Sequence, residues 1–201
     1  MSSKAQSLLE DLDKTLSKAS ESQQVSILRR VTDLFLGNSE RLSGDHVAVF
    51  GEVIVRLIEK AEPSSLIEMS NRLALVTNAP EIVIVCLSRH DDIAVSGLVL
   101  EKSTVLTDES LSEIAKTKGQ KHLAAIADRA QIGESVSDIL ADRGNAEVAQ
   151  KVTSNPGARL SELGFVKLIN KAKSDKALAT TIAKRTDIPP ELQPFLKLAL
   201  A

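Results

Sequence analysis

Ile126-Ala127-Asp128-Arg129-Ala130-Gln131-Ile132 and Ile182-Ala183-Lys184-Arg185-Thr186-Asp187-Ile188 stand 56 residues apart and share four of seven positions. The register continues upstream. Leu87, Val95 and Val99 fall on Leu140, Val148 and Val152 at an offset of 53, and Thr107, Leu111 and Ile114 fall on Ser161, Phe165 and Leu168 at 54. Arg72 falls on Arg129 at 57, which marks a weaker third copy. Short loop insertions produce offsets that drift in this way. A period of this size reads as tandem helical units, none of which can bury its apolar face alone.

The period also resolves an ambiguous segment. Glu81-Ile82-Val83-Ile84-Val85-Cys86-Leu87 is β-branched and by itself reads as a strand. Its counterpart Ser135-Val136-Ser137-Asp138-Ile139-Leu140 has helical spacing. The reading is therefore a buried helix over Pro80–Ser88, with Pro80 in the first turn. Further helices are expected near Ile93–Lys102, Asp108–Lys118, Gln120–Arg129, Glu134–Asp142, Ala146–Ser154, Glu162–Lys173, Asp175–Lys184 and Pro190–Leu200. Gly119, Gly133, Gly144 and Asn155-Pro156-Gly157 supply the stops.

The first sixty residues read as three more helices. Leu8, Leu9, Leu12 and Leu16 form an apolar stripe. Ser22 is the expected N-cap of a second helix ending at Gly37-Asn38, and Ser43 the cap of a third that turns Val47, Phe50, Ile54 and Leu57 inward. The fold class is thus all-α, a right-handed α-solenoid of short HEAT-like repeats. The expected organisation is one domain over 1–201, with N-terminal helices over 1–61 and repeats of about 55 residues over 62–201.

Composition limits the function classes. The chain of 201 residues carries 25 Lys and Arg against 27 Asp and Glu, a net charge of -2, which argues against a general nucleic-acid binder. Aromatics make up 2%, so platforms for stacking bases are few. The start lacks a secretory pattern, and the longest apolar run in the Leu73–Leu100 region, Ile82–Leu87, is far short of a membrane span of about 20 residues. A cytoplasmic protein with no membrane association is expected.

No catalytic or metal pattern emerges. Cys86 is the one cysteine, with His90 at i+4, and a buried, inert thiol is the favoured reading over a catalytic or metal site. His46, His90 and His122 show no zinc spacing, and His122 is expected to pack. Phosphate-binding and nucleophile-elbow glycine motifs are missing. Asp91-Asp92 and Asp108-Glu109 stand at helix starts, where they complement the macrodipole. No enzyme activity and no cofactor are expected.

Two sets of cations stand out. Arg72, Arg129 and Arg185 occupy one place in successive copies, near a helix end, with Arg143 a related case. They are expected to be structural, bonding the last carbonyls of a helix or a neighbouring acid. Residues 151–201 hold nine Lys and Arg and four acids, so this quarter is +5 and the remainder -7. Lys167, Lys171 and Lys173 crowd one helix there. They are expected to be exposed, nearly neutral for stability, and candidates for contact with a partner.

Several of these segments carry a resemblance. Leu140-Ala141-Asp142-Arg143-Gly144-Asn145-Ala146-Glu147-Val148, with Val152-Thr153-Ser154-Asn155-Pro156, resembles HEAT and leucine-rich-variant repeats. More narrowly, Leu100 to Pro190 resembles bacterial domain-of-unknown-function family 2336. The features that carry this are Leu106-Thr107-Asp108, His122-Leu123-x-x-Ile126-Ala127-x-Arg129 and Arg143-Gly144-Asn145. The resemblance implies an α-solenoid and no assigned activity. The expected function is a non-enzymatic protein–protein interaction module, a helical-repeat scaffold or regulator with an unidentified protein partner, acidic if the basic quarter is its contact. The alternative is a HEAT-like nucleic-acid or DNA-lesion binder, which the basic quarter favours and the net charge opposes.

Overall fold

The computed structural model describes residues 20–200, so the Leu8–Leu16 stripe lies outside the described residues. Every regular element described is helical. The helices are α1 (Glu21–Leu36), α2 (Gly44–Ile58), α3 (Pro63–Leu73), α4 (Glu81–Ser88), α5 (Ile93–Lys102) and α6 (Asp108–Thr117). They continue with α7 (Gln120–Ala127), α8 (Glu134–Arg143), α9 (Ala146–Ser154), α10 (Glu162–Ala172), α11 (Lys176–Ala183) and α12 (Gln193–Leu200). Single 3-10 turns cover Ser39–Arg41 and Pro190–Leu192. An isolated parallel bridge joins Ile132 to Ala158, and no strand is formed among the described residues.

Short polar residues start the helices by accepting from first-turn amides. Thr107, Asn145, Ser161 and Asp175 do so for α6, α9, α10 and α11. Ser20, rather than the expected Ser22, begins α1. It forms a capping box in which Gln23 Oε1 accepts from the Ser20 amide at 2.8 Å, and this reciprocal pair is what selects the earlier serine.

The burial pattern settles the ambiguous segment. In α4 the buried residues are Val83, Ile84, Leu87 and Ser88, an i, i+1, i+4, i+5 stripe and not the alternation of a strand. Pro80 stands at the N-cap instead of inside the first turn. The same stripe recurs as Val136, Ser137, Leu140 and Ala141 in α8 and as Val148, Ala149, Val152 and Thr153 in α9. Its width comes from each helix being covered on two sides, and the small second members in α8 and α9 let neighbouring backbones approach.

The chain falls into two compact units, residues 20–99 with 103–106, and residues 100–102 with 107–200. In the first, α1 packs on α2 and α3, and α4 packs on α2 and α3. Phe35 meets Phe50 edge-on at 5.5 Å between centroids. In the second, each helix packs on the one two before it, which gives a row α6, α8, α10, α12 and a row α7, α9, α11. No helix among the described residues is long and apolar enough to cross a membrane.

Candidate functional site

A helix leaves its last carbonyls without intrahelical partners. In the second unit these carbonyls are bonded by a side chain near the end of the helix two further on. Arg129, past α7, donates to Leu100 O of α5 at 2.5 Å. Asn155, past α9, donates to Ala127 O and Arg129 O at 3.0 and 2.7 Å. Arg185, past α11, donates to Thr153 O and Asn155 O, both at 3.1 Å, and to Ala158 O at 2.8 Å. The other row does the same. Arg143 of α8 donates to Ala115 O and Lys118 O after α6, and Lys171 of α10 to Asp142 O and Gly144 O after α8.

Arg185 is the most committed member. Its Nε and Nη2 also pair with both Asp187 oxygens, at 2.9 and 2.6 Å, so all five N–H groups are engaged. The side chain is 10% exposed and its guanidinium lies 5.7 Å from the Phe165 centroid. Its hydrogen bonds hold the Asp187 carboxyl below the usual carboxylate range. Burial draws the Arg129 guanidinium down, with Asp108 opposing that shift. Arg72 differs from its sequence counterparts. It pairs with the Asp33 carboxylate at 2.5 Å on the first unit's surface, between α3 and α1.

The three candidate lysines separate. Lys171 is half-buried, not exposed as expected, because its stem runs to the end of α8. Burial pulls its ammonium down, Asp142 opposes this, and Lys167 adds to it. Lys167 is likewise half-buried and not exposed as expected, because it pairs with Asp142 at 3.2 Å, whereas Lys173 is exposed. Lys171→Ala is therefore expected to cost about 1–2 kcal/mol in denaturant unfolding, since it orphans two carbonyls. Lys173→Ala should stay within about 0.5 kcal/mol.

Cys86 is half-buried, where full burial was expected. Burial and then Glu59 push its thiol up, the reverse of what a thiolate nucleophile needs. Helix α4 ends at Ser88, so His90 sits in the following turn and its Nδ1 accepts from the Asp92 amide at 3.0 Å. His122 is buried, and no group of three or more metal-ligating side chains gathers among the described residues.

Sequence reasoning missed a polar groove of about 560 Å³ between the C-terminal ends of α9 and α11. Gln150, Thr153 and Ser154 line it from α9, and Thr181 and Lys184 from α11, with Arg185 and Asp187 at its edge. One signal was available in the sequence. Lys184 stands where the repeat has Asp128, which pairs with Lys151 of the next helix in its row.

Residues 95–195 match a family described as "Uncharacterised protein conserved in bacteria (DUF2336)". The chain belongs to this family. The match takes in α6 to α11 whole, and so every carbonyl clamp donor described above. No curated protein and no solved structure matches the chain.

Proposed function

We propose that this protein is a non-catalytic protein-interaction module, and that its second unit is a right-handed α-solenoid of HEAT-like repeats. The carbonyl clamps carry this reading. Each ties a helix to the one two before it through charged or amide hydrogen bonds, so the helix ends are held against one another. A surface ordered before contact loses less entropy on binding, which favours recognition of a folded or extended partner. Phe195 and Leu198, 56% and 76% exposed and three residues apart on α12, supply apolar contact area.

The basic quarter offers less to a nucleic acid than its charge suggests. Lys151, Lys167, Lys171 and Arg185 are already joined to acids or carbonyls. The experiment is affinity capture from a bacterial lysate, then titration of the purified partner against the wild type and a Phe195→Ala/Leu198→Ala double variant. Binding that weakens about tenfold or more in the double variant, with melting unchanged and little salt dependence, is the expected result. Capture of nucleic acid with a steep loss of affinity on raising salt would overturn it.

A further inference from the structure

We propose that the groove between α9 and α11 receives an extended acidic peptide segment. A side-chain carboxylate would pair with the Lys184 ammonium, and the peptide main chain would bond the Gln150 amide. This rests on the protein-interaction reading and names the partner chemistry of one place on its surface.

The charges in the groove come first. Arg185 spends all five donors on Asp187 and three backbone carbonyls, so this pair is neutral and closed. Lys184 remains, exposed and with no hydrogen-bond or ion-pair partner among the described residues. Its place in the repeat says what it lacks. Asp128, the equivalent residue one copy earlier, reaches forward to Lys151 on the next helix of the row. At Lys184 the same place of the row carries a cation, and an acid is the group that complements it.

The remaining lining decides between a peptide and a bare anion. Gln150 Nε2 donates to Thr181 Oγ1 at 2.5 Å, which leaves Oε1 and the second N–H of the amide open. Thr153 Oγ1 is buried without a partner. Such a wall offers both acceptors and donors, as a peptide backbone requires. A phosphate or free carboxylate would find the one lysine but carries no N–H donor for the open Gln150 Oε1. At about 560 Å³ the groove lies within the range of ligand sites and has room for a few residues.

The test follows backbone amide shifts of the full chain as an acetylated, amidated Gly-Glu-Gly-Glu-Gly peptide is added, with its Gln counterpart and inorganic phosphate as parallel arms. Saturable shifts at Thr153, Ser154, Thr181 and Thr186 are expected with the Glu peptide. The Gln peptide and the Lys184→Gln and Gln150→Ala variants should bind about tenfold more weakly, with melting unchanged in Lys184→Gln. Three results would overturn the proposal: no saturable shift at those amides, equal binding of the Gln peptide, or phosphate shifting them as strongly. Loss of this site with the Phe195 and Leu198 interface intact would refute the groove alone. Loss of the interface with the groove intact would refute the apolar contact surface alone.

Discussion

Arg185→Ala should destabilise the protein by about 2–4 kcal/mol, the largest effect of any single polar substitution in the second unit. The guanidinium is nine-tenths buried and serves three carbonyls and the Asp187 carboxylate at once. Alanine removes the donors to Thr153 O and Ala158 O, leaves Asn155 O with the Ala158 amide alone, and removes the contact with Phe165. Lysine should not rescue it, since an ammonium has three donors on one atom and cannot span the fork. Lys184→Ala, one residue away on an exposed side chain, is the control and should change stability by less than about 0.5 kcal/mol. Denaturant unfolding of the three variants checks this. Because the native Asp187 carboxyl lies below its ordinary value, its contribution is complete above about pH 4 and disappears as pH falls through the native value. The gap between wild type and Asp187→Asn should therefore close in acid.

Gly157→Ala should cost about 3 kcal/mol. Its φ is not positive, so the reason is space and not backbone handedness. A Cβ there would stand 2.9 Å from the Ala130 carbonyl carbon and closer still to its oxygen. The backbone cannot retreat cheaply, because Ile132 N donates to Gly157 O at 3.0 Å and Arg159 N to Ile132 O at 3.1 Å. Gly133→Ala provides a graded comparison. Its Cβ would meet the Asp108 carboxylate, a side chain that can swing away, and the cost should be smaller. Gly44, with nothing within 4 Å of the added atom, should accept alanine at no cost or with a small gain. Thermal melts of the three variants should rank in that order, and a Gly157→Ala melt equal to the wild type would show that the two loops are not held together.

Much of the helical layout was legible because it is written locally. Thr107, Asn145, Ser161 and Asp175 announce helix starts through side chains that reach amides three residues on, and the repeat turned Pro80–Ser88 from an apparent strand into a helix. The helix bounds expected for Ile93–Lys102 and Ala146–Ser154 are those observed. The sites were less legible. Lys171 and Lys173 look alike in sequence, two residues apart, yet one reaches two carbonyls at the end of α8 and the other stays in solvent. Two residues in a helix differ by about 200° in direction, and which direction meets a neighbour is a property of the packing.

The sequence by itself determined the all-helical class, the helix order and the apolar stripes, because caps, glycine stops and apolar periodicity act within a few residues. Tertiary structure alone decided which cations are bound and which are left over. Arg72 and Arg185 are repeat equivalents at one remove, but the former meets a carboxylate on α1 and the latter a fan of carbonyls behind α9. Asp128 pairs with Lys151, while Lys184 at the equivalent place has no ion pair among the described residues. Hydrogen bonds and ion pairs across about 25 to 30 residues depend on where neighbouring helices end, and no local pattern encodes that distance.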